Sequence, residues 1–128
     1  MHYKPEGYTS LSPYLIVSDA AAVIDFVKAV FGVDPIYVDR AEDGGFRHVE
    51  IVIDGSVLML GEMPGATSAA HLHVYVPDVD AAFARARAAG GTVVQEPQRK
   101  EDVDRRGGIT DESGTTWWLA TQQEPRSA

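Results

Sequence analysis

The stretch AHLHVYV, residues 70–76, places His71, His73 and Tyr75 at every second position, with Leu72, Val74 and Val76 between them. In a strand, successive side chains point to opposite faces. One face therefore carries two imidazoles and a phenol, and the other is aliphatic. A neutral imidazole can donate and accept a hydrogen bond, take up a proton near neutrality or ligate a metal. The alternation recurs in RHVEIVI, residues 47–53, where His48 and Glu50 share a face. Such a pair can do acid–base work, help hold a metal or simply bond to itself as a structural group. Three of the four histidines lie in these two stretches, and His2 stands apart.

Two helices must position these strands. SDAAAVIDFVKAVFG offers Ser18 or Asp19 as a cap, an apolar stripe at Val23, Phe26, Val27 and Val30, and a stop at Gly32. PDVDAAFARARAAGG repeats the plan with Asp78, Val79, Phe83, Ala86 and a stop at Gly90-Gly91. The pattern predicts helices over 19–31 and 78–90. Sliding the chain by 59 residues extends the match: Val17 falls on Val76, Asp19 on Asp78, Lys28 on Arg87, Arg47 on Arg106 and Gly55 on Gly114. Matched caps, stops and turn glycines at one constant offset indicate an internal duplication.

Strands fill the rest. LSPYLIV precedes the first helix; PIYVDR, RHVEIVI and SVLMLG follow it, with Asp54-Gly55 as a hairpin turn. HLHVYV precedes the second; TVVQE, GGIT and TTWWLA follow, with a turn at DESG. Each half reads β-α-β-β-β. GEMPGATSAA is the connection between them, and the ends MHYKPEG and QQEPRSA are expected to be poorly ordered. The expected architecture is α+β: one domain over 1–128 with modules at about 8–65 and 66–122. Their curved mixed sheets are expected to enclose a concave cleft.

Each helix must bury its stripe on its own sheet. The aliphatic faces (Leu15, Val17; Val49, Ile51, Ile53; Leu58, Leu60; Leu72, Val74, Val76; Trp117, Leu119) meet the helices. The opposite faces carry Ser12, Tyr14 and Ile16; His48, Glu50 and Val52; Met59; His71, His73 and Tyr75; and Thr116, Trp118 and Ala120. Aromatic and titratable groups on a concave surface resemble the lining of a small-molecule pocket. The expected ligand-binding residues are Tyr14, His48, Glu50, Met59, His71, His73, Tyr75 and Trp118. Trp118 could stack on a ligand or fill the cleft. QRKEDVDRRGG, residues 98–108, could clamp an anion through Arg105 and Arg106, but it reads more simply as an exposed loop.

Composition narrows the partners. Eleven Lys and Arg against nineteen Asp and Glu give a net charge of −8. That leaves no basic stripe for nucleic acid and suits cationic or neutral small molecules. There are no cysteines, hence no disulfides and no thiolate metal site. No apolar run approaches a membrane span, and the opening residues lack a signal-peptide core. No membrane partner and a cytoplasmic location are expected.

Two β-α-β-β-β modules in one chain resemble the vicinal-oxygen-chelate superfamily, which includes glyoxalase I, extradiol dioxygenases and bleomycin-resistance proteins. PEGYTSLSPYLIVSDAAAVIDF, FGVDPIYV, HVEIVIDGSVLMLGE, HVYVPDVDAAFARARAAGG and GGITDESGTTWWLAT are similar to its PhnB-like, glyoxalase-like branch. The resemblance spans roughly residues 5–121. It implies one metal ligand on the first and one on the last strand of each module. Those positions fall on Ser12, Met59, His71 and Trp118. Only His71 is an ordinary ligand, whereas a catalytic zinc takes about three. The resemblance also implies a D-R-x-G element, which Asp104, Arg105 and Gly107 match, and a G-H-T-W element, in which Thr115 replaces the histidine.

The usual metal site is therefore broken, which argues against metal-dependent glyoxalase or dioxygenase activity. The expectation is a metal-free protein that sequesters an aromatic or cationic compound, as bleomycin-resistance-like members do. One alternative is a lyase, isomerase or dioxygenase using a divalent metal at His71, His73 and Glu50. Another is a ligand-free dimeric structural or regulatory module. A homodimer is expected, because aromatic strand faces should not all meet water.

Overall fold

The computed structural model of the protein describes residues 3–125; His2 and the last three residues lie outside the described residues. The chain forms two compact units, divided between Ser68 and Ala69.

In the first unit, β1 (Tyr14–Val17) leads into α1 (Ala20–Phe31), followed by β2 (Pro35–Arg40), β3 (Phe46–Ile53) and β4 (Ser56–Glu62). The sheet order is β1-β4-β3-β2, with β1 parallel to β4 and the other pairs antiparallel. In the second unit, β5 (His71–Tyr75), α2 (Val79–Ala88), β6 (Thr92–Arg99), β7 (Asp104–Thr110) and β8 (Thr116–Gln122) repeat the plan in the order β5-β8-β7-β6. Each is the β-α-β-β-β module read from the sequence. Both helices start alike. Asp19 accepts from the Ala22 N–H and Asp78 from the Ala81 N–H, each satisfying an otherwise orphaned helix donor. Gly32 ends α1 in the left-handed conformation, φ 70°, where glycine carries no Cβ penalty.

The helix stripes and aliphatic strand faces form the cores. Val23, Phe26, Val27 and Val30 are buried with Leu15, Val17, Val49, Ile51 and Leu60. Val79, Ala82, Phe83 and Ala86 are buried with Ile109, Trp117 and Leu119. Leu72, Val74 and Val76 are only half-buried.

Several boundaries differ from the sequence expectation. The first strand begins at Tyr14 rather than Leu11. The strand expected over TVVQE continues through Pro97 to Arg99, because β6 is an edge strand with register shifts near Gln95 and Gln98 that accommodate a proline. At the C-terminal end, Gln122 still belongs to β8, and the Gln123 N–H bonds to the Val103 carbonyl.

The largest correction concerns Arg105 and Arg106. They are not in an exposed loop: β7 begins at Asp104, which is 1% exposed. The charges that made the segment look solvated are paired. Arg105 bonds Asp80 in bidentate fashion, and Arg106 bonds Asp102 and Asp104.

The two hairpins also differ. Asp54-Gly55, with φ of 46° and 82°, closes β3 onto β4 in two residues, and Ile53 faces Ser56. Between β7 and β8 the loop is longer: Thr110 faces Thr116, and the Asp111 N–H bonds to Thr115 O. Gly114, φ 93°, supplies the left-handed residue this loop needs. The register consequently slips by one. Glu50 faces Met59 in the first module; 59 residues on, Trp118 is faced by Gly108, not Ile109.

Candidate functional site

Each sheet has one face against its helix and one face away from it, the open face. In the first module the open face gathers His48, Glu50, Tyr14 and Met59. Register sets Met59 between Tyr14 on β1 and Glu50 on β3. The Glu50 side chain is nearly buried, and both its oxygens are occupied. The Tyr8 hydroxyl donates to Oε1, and His48 Nε2 lies 2.8 Å from Oε2. A carboxylate accepts only, so the Nε2–H donates. The Tyr14 hydroxyl lies 3.2 Å from His48 Nδ1, and the two rings stack with centroids 5.4 Å apart. Tyr37, on the neighbouring strand, meets the same imidazole at 6.0 Å. Gly61 makes the close approach of Tyr14 possible, since a Cβ there would stand 3.1 Å from the Tyr14 hydroxyl.

The hydrogen bond from Tyr8 holds the Glu50 carboxyl below its usual range against the desolvation of burial, and the bond from His48 adds to this. Glu50 is thus an anion at neutral pH. The Tyr8 phenol moves the other way, raised chiefly by its bond to Glu50.

In the second module the exposed row of β5 is the one the alternation predicts: His71, His73 and Tyr75 are exposed, and Leu72 and Val74 half-buried. The Trp118 indole N–H donates to His71 Nδ1 at 3.0 Å, and the rings stack at 6.2 Å. Trp118 lies flat over Gly108, where a Cβ would come within 2.5 Å of the indole. The adjacent Gly107 leaves room on the opposite face for Phe83. Arg106 Nε donates to His73 Nε2 at 3.0 Å, and its terminal nitrogens bond Asp102 and Asp104. The Tyr75 hydroxyl donates to Asp104 Oδ2 at 2.7 Å, and its ring meets His73 edge-on at 4.9 Å. Desolvation, reinforced by the Arg106 charge, holds the His73 imidazole below its ordinary pKa.

These partners fix tautomers. His71 accepts at Nδ1 and His73 at Nε2, so each neutral ring carries its proton on the other nitrogen. To ligate a metal, either ring would have to give up its present acceptor role or turn its protonated nitrogen into a lone pair. Both Glu50 oxygens already accept a hydrogen bond, from Tyr8 and from His48. His71, His73 and Glu50 do not fit a divalent metal as they stand, and no group of three or more suitable side chains occurs among the described residues. Of the family ligand positions, Trp118 is a donor only, and Ser12 bonds Thr9 at 3.2 Å.

Nothing in the sequence points to Tyr8, which lies in an irregular segment, and Arg106, read as a possible anion clamp, instead bonds His73, Asp102 and Asp104. Asp111 was also missed. Its carboxylate accepts from the Ser113 N–H and hydroxyl, the Thr115 N–H and the Trp117 indole, and so holds the longer hairpin together. His48 and Glu50 do pair with each other, one of the alternatives weighed for them.

The glyoxalase/bleomycin resistance protein/dioxygenase superfamily model matches residues 8–119. The chain belongs to this superfamily. An uncharacterized protein of Mycobacterium bovis is 36% identical over 125 residues, covering 86% of this chain and 81% of that one. Among solved structures, TioX from Micromonospora sp. ML1 is similar at 26% identity with a TM-score of 0.75, covering 89% of this chain and 98% of TioX. TnmS3, an antibiotic binding protein from Streptomyces sp. CB03234, superposes with a TM-score of 0.68 at 22% identity, covering 90% and 99%. That last likeness is one of fold.

Proposed function

We propose that this superfamily member is a metal-free small-molecule-binding protein of the cytoplasm that sequesters an aromatic or cationic compound. The observation that carries this reading is the engagement of all three open-face histidines by neighbours within their own module. Rings held in this way present fixed hydrogen-bonding edges rather than vacant metal ligands. In the first module Tyr14, His48, Glu50 and Met59 form the binding surface. In the second, His71, His73, Tyr75 and Trp118 do. Tyr14 and Tyr75 are each about half exposed, at 49% and 51%, so their ring faces are available for stacking. The anionic Glu50 and the net charge of −8 favour a cation's approach. The fold likeness to an antibiotic binding protein fits the same reading.

The test is a thermal-shift screen of aromatic and cationic compounds, run with and without chelator. Hits should raise Tm equally in both conditions, and Tyr75→Ala or Trp118→Leu should remove the shift. A shift that appears only with added zinc or manganese would overturn the metal-free reading. Unchanged binding by both variants would place the site elsewhere.

A homodimer is proposed on a separate observation. The edge strand β2 exposes Ile36 and Val38 at 54% and 44%, aliphatic surface that single chains in water rarely leave uncovered. Sedimentation at micromolar concentration should give twice the mass of one chain; a single-chain mass contradicts it.

A further inference from the structure

The open face of the first module holds an arrangement that ligand stacking does not require. Tyr14 Oη lies 3.2 Å from His48 Nδ1, and His48 Nε2 lies 2.8 Å from Glu50 Oε2. A hydroxyl beside an imidazole that is oriented in turn by a carboxylate is the geometry of an activated nucleophile. We propose that Tyr14 is a nucleophile toward activated acyl compounds, with His48 as its general base and Glu50 as the residue that positions His48. This goes beyond ligand binding and stands on the geometry of one module alone.

Each member is built for its part. Tyr14 is half exposed, so an electrophile can reach its oxygen. Glu50 is nearly buried and ionised, and the Tyr8 hydroxyl occupies its second oxygen. The carboxylate therefore holds the His48 Nε2–H and leaves Nδ1 as the lone pair facing the phenol. In the step, Tyr14 Oη forms a bond to the acyl carbon as its proton passes to His48 Nδ1. The bond from the acyl carbon to its leaving group then breaks, and the leaving group takes the proton from Nδ1. The products are an O-acyl tyrosine and the protonated leaving group, with no change in oxidation state.

The chain supplies its own controls. Tyr37 is as exposed as Tyr14, at 51% against 49%, and Tyr3 is far more exposed, at 90%. Exposure alone would rank Tyr3 first and make the other two equal. The experiment treats the full chain with N-acetylimidazole and follows acetylation of each tyrosine by peptide mass spectrometry. No other ligand is needed, so failure of the binding screen leaves this result unaffected. Tyr14 should react at least about tenfold faster than Tyr37, a modest part of the roughly 100-fold a positioned base contributes. His48→Gln, which can accept the hydrogen bond but not the proton, should bring Tyr14 down to the Tyr37 rate. Glu50→Gln should lower the Tyr14 rate severalfold and leave Tyr37 unchanged, whereas general loss of structure would move both. Equal rates at Tyr14 and Tyr37 in the parent protein overturn the proposal without recourse to any variant. A Tyr14 rate that His48→Gln leaves untouched overturns it as well.

Discussion

Opposite Met59, the third strand of the first module carries Glu50; opposite Trp118, the corresponding strand of the second carries Gly108. Met59 and Trp118 are equivalent by the repeat, since 118 minus 59 is 59. Two residues earlier, on the same faces, stand His48 and Arg106. The duplicated frame thus presents two different surfaces. The first is a chain of neutral and anionic donors and acceptors: Tyr8, Glu50, His48 and Tyr14. The second is an indole laid on a glycine beside an arginine shared between two aspartates and an imidazole. The difference is only partly one of substitution, because the longer hairpin in the second module shifts the register by one. A one-residue slip carries every side chain to the other face. Arg106, which falls on Arg47 by simple offset, therefore reaches His73 and the open side.

If the hairpin sets this difference, breaking it should have the largest effect. Asp111→Ala removes the carboxylate that takes the Ser113, Thr115 and Trp117 donors, all in buried residues. The Ser113 hydroxyl keeps Thr115 Oγ1 and the Thr115 N–H keeps Ser113 Oγ, but the Ser113 N–H and the Trp117 indole lose this acceptor at about 1–3 kcal/mol each, so a loss of about 3 kcal/mol is expected in denaturant unfolding. A loss below about 1 kcal/mol would show that the loop does not depend on this carboxylate.

A smaller effect tests the indole's seat. Gly108→Ala places a Cβ within 2.5 Å of Trp118. Overpacking of this kind costs about 1–3 kcal/mol. The indole should lift from the sheet, lose its bond to His71 and emit at longer wavelength. Unchanged emission and stability would mean that Trp118 does not rest on Gly108.

The smallest effect separates the modules by pH. The folded-state pKa of His73 lies below its ordinary 6.5, so between the two values the unfolded chain binds the extra proton. This contribution to stability is complete above pH 6.5 and is lost as pH falls below it. Glu50 is depressed from its ordinary 4.5, so its contribution is complete above pH 4.5 and is lost only in more acid solution. Scanning calorimetry should show a first decline in Tm below pH 6.5, which His73→Gln removes, and a second below pH 4.5, which Glu50→Gln removes. A profile that neither variant alters contradicts both assignments.

The helices, their aspartate caps and the alternation of His71, His73 and Tyr75 were legible because period and capping are local properties of the chain. The repeat was legible for the same reason. The register slip was not, since it depends on how Asp111 folds the DESG turn back onto Thr115 and Trp117. Arg105 and Arg106 were misplaced because charge density resembles a loop until the partners, Asp80, Asp102 and Asp104, are brought alongside. Tyr8 could not be linked to Glu50 across a separation of 42 positions without the fold.

The central claim is that the indole face of the second module receives a ligand without a metal. Trp117 is buried and Trp118 half-buried, so a ligand at this face should change Trp118 emission alone. The direct measurement is tryptophan fluorescence of chelator-treated protein titrated with an aromatic compound from the thermal-shift screen. The account predicts saturable quenching that is lost in Trp118→Leu. Quenching of equal depth and affinity in Trp118→Leu, or none until a divalent metal is restored, would contradict it.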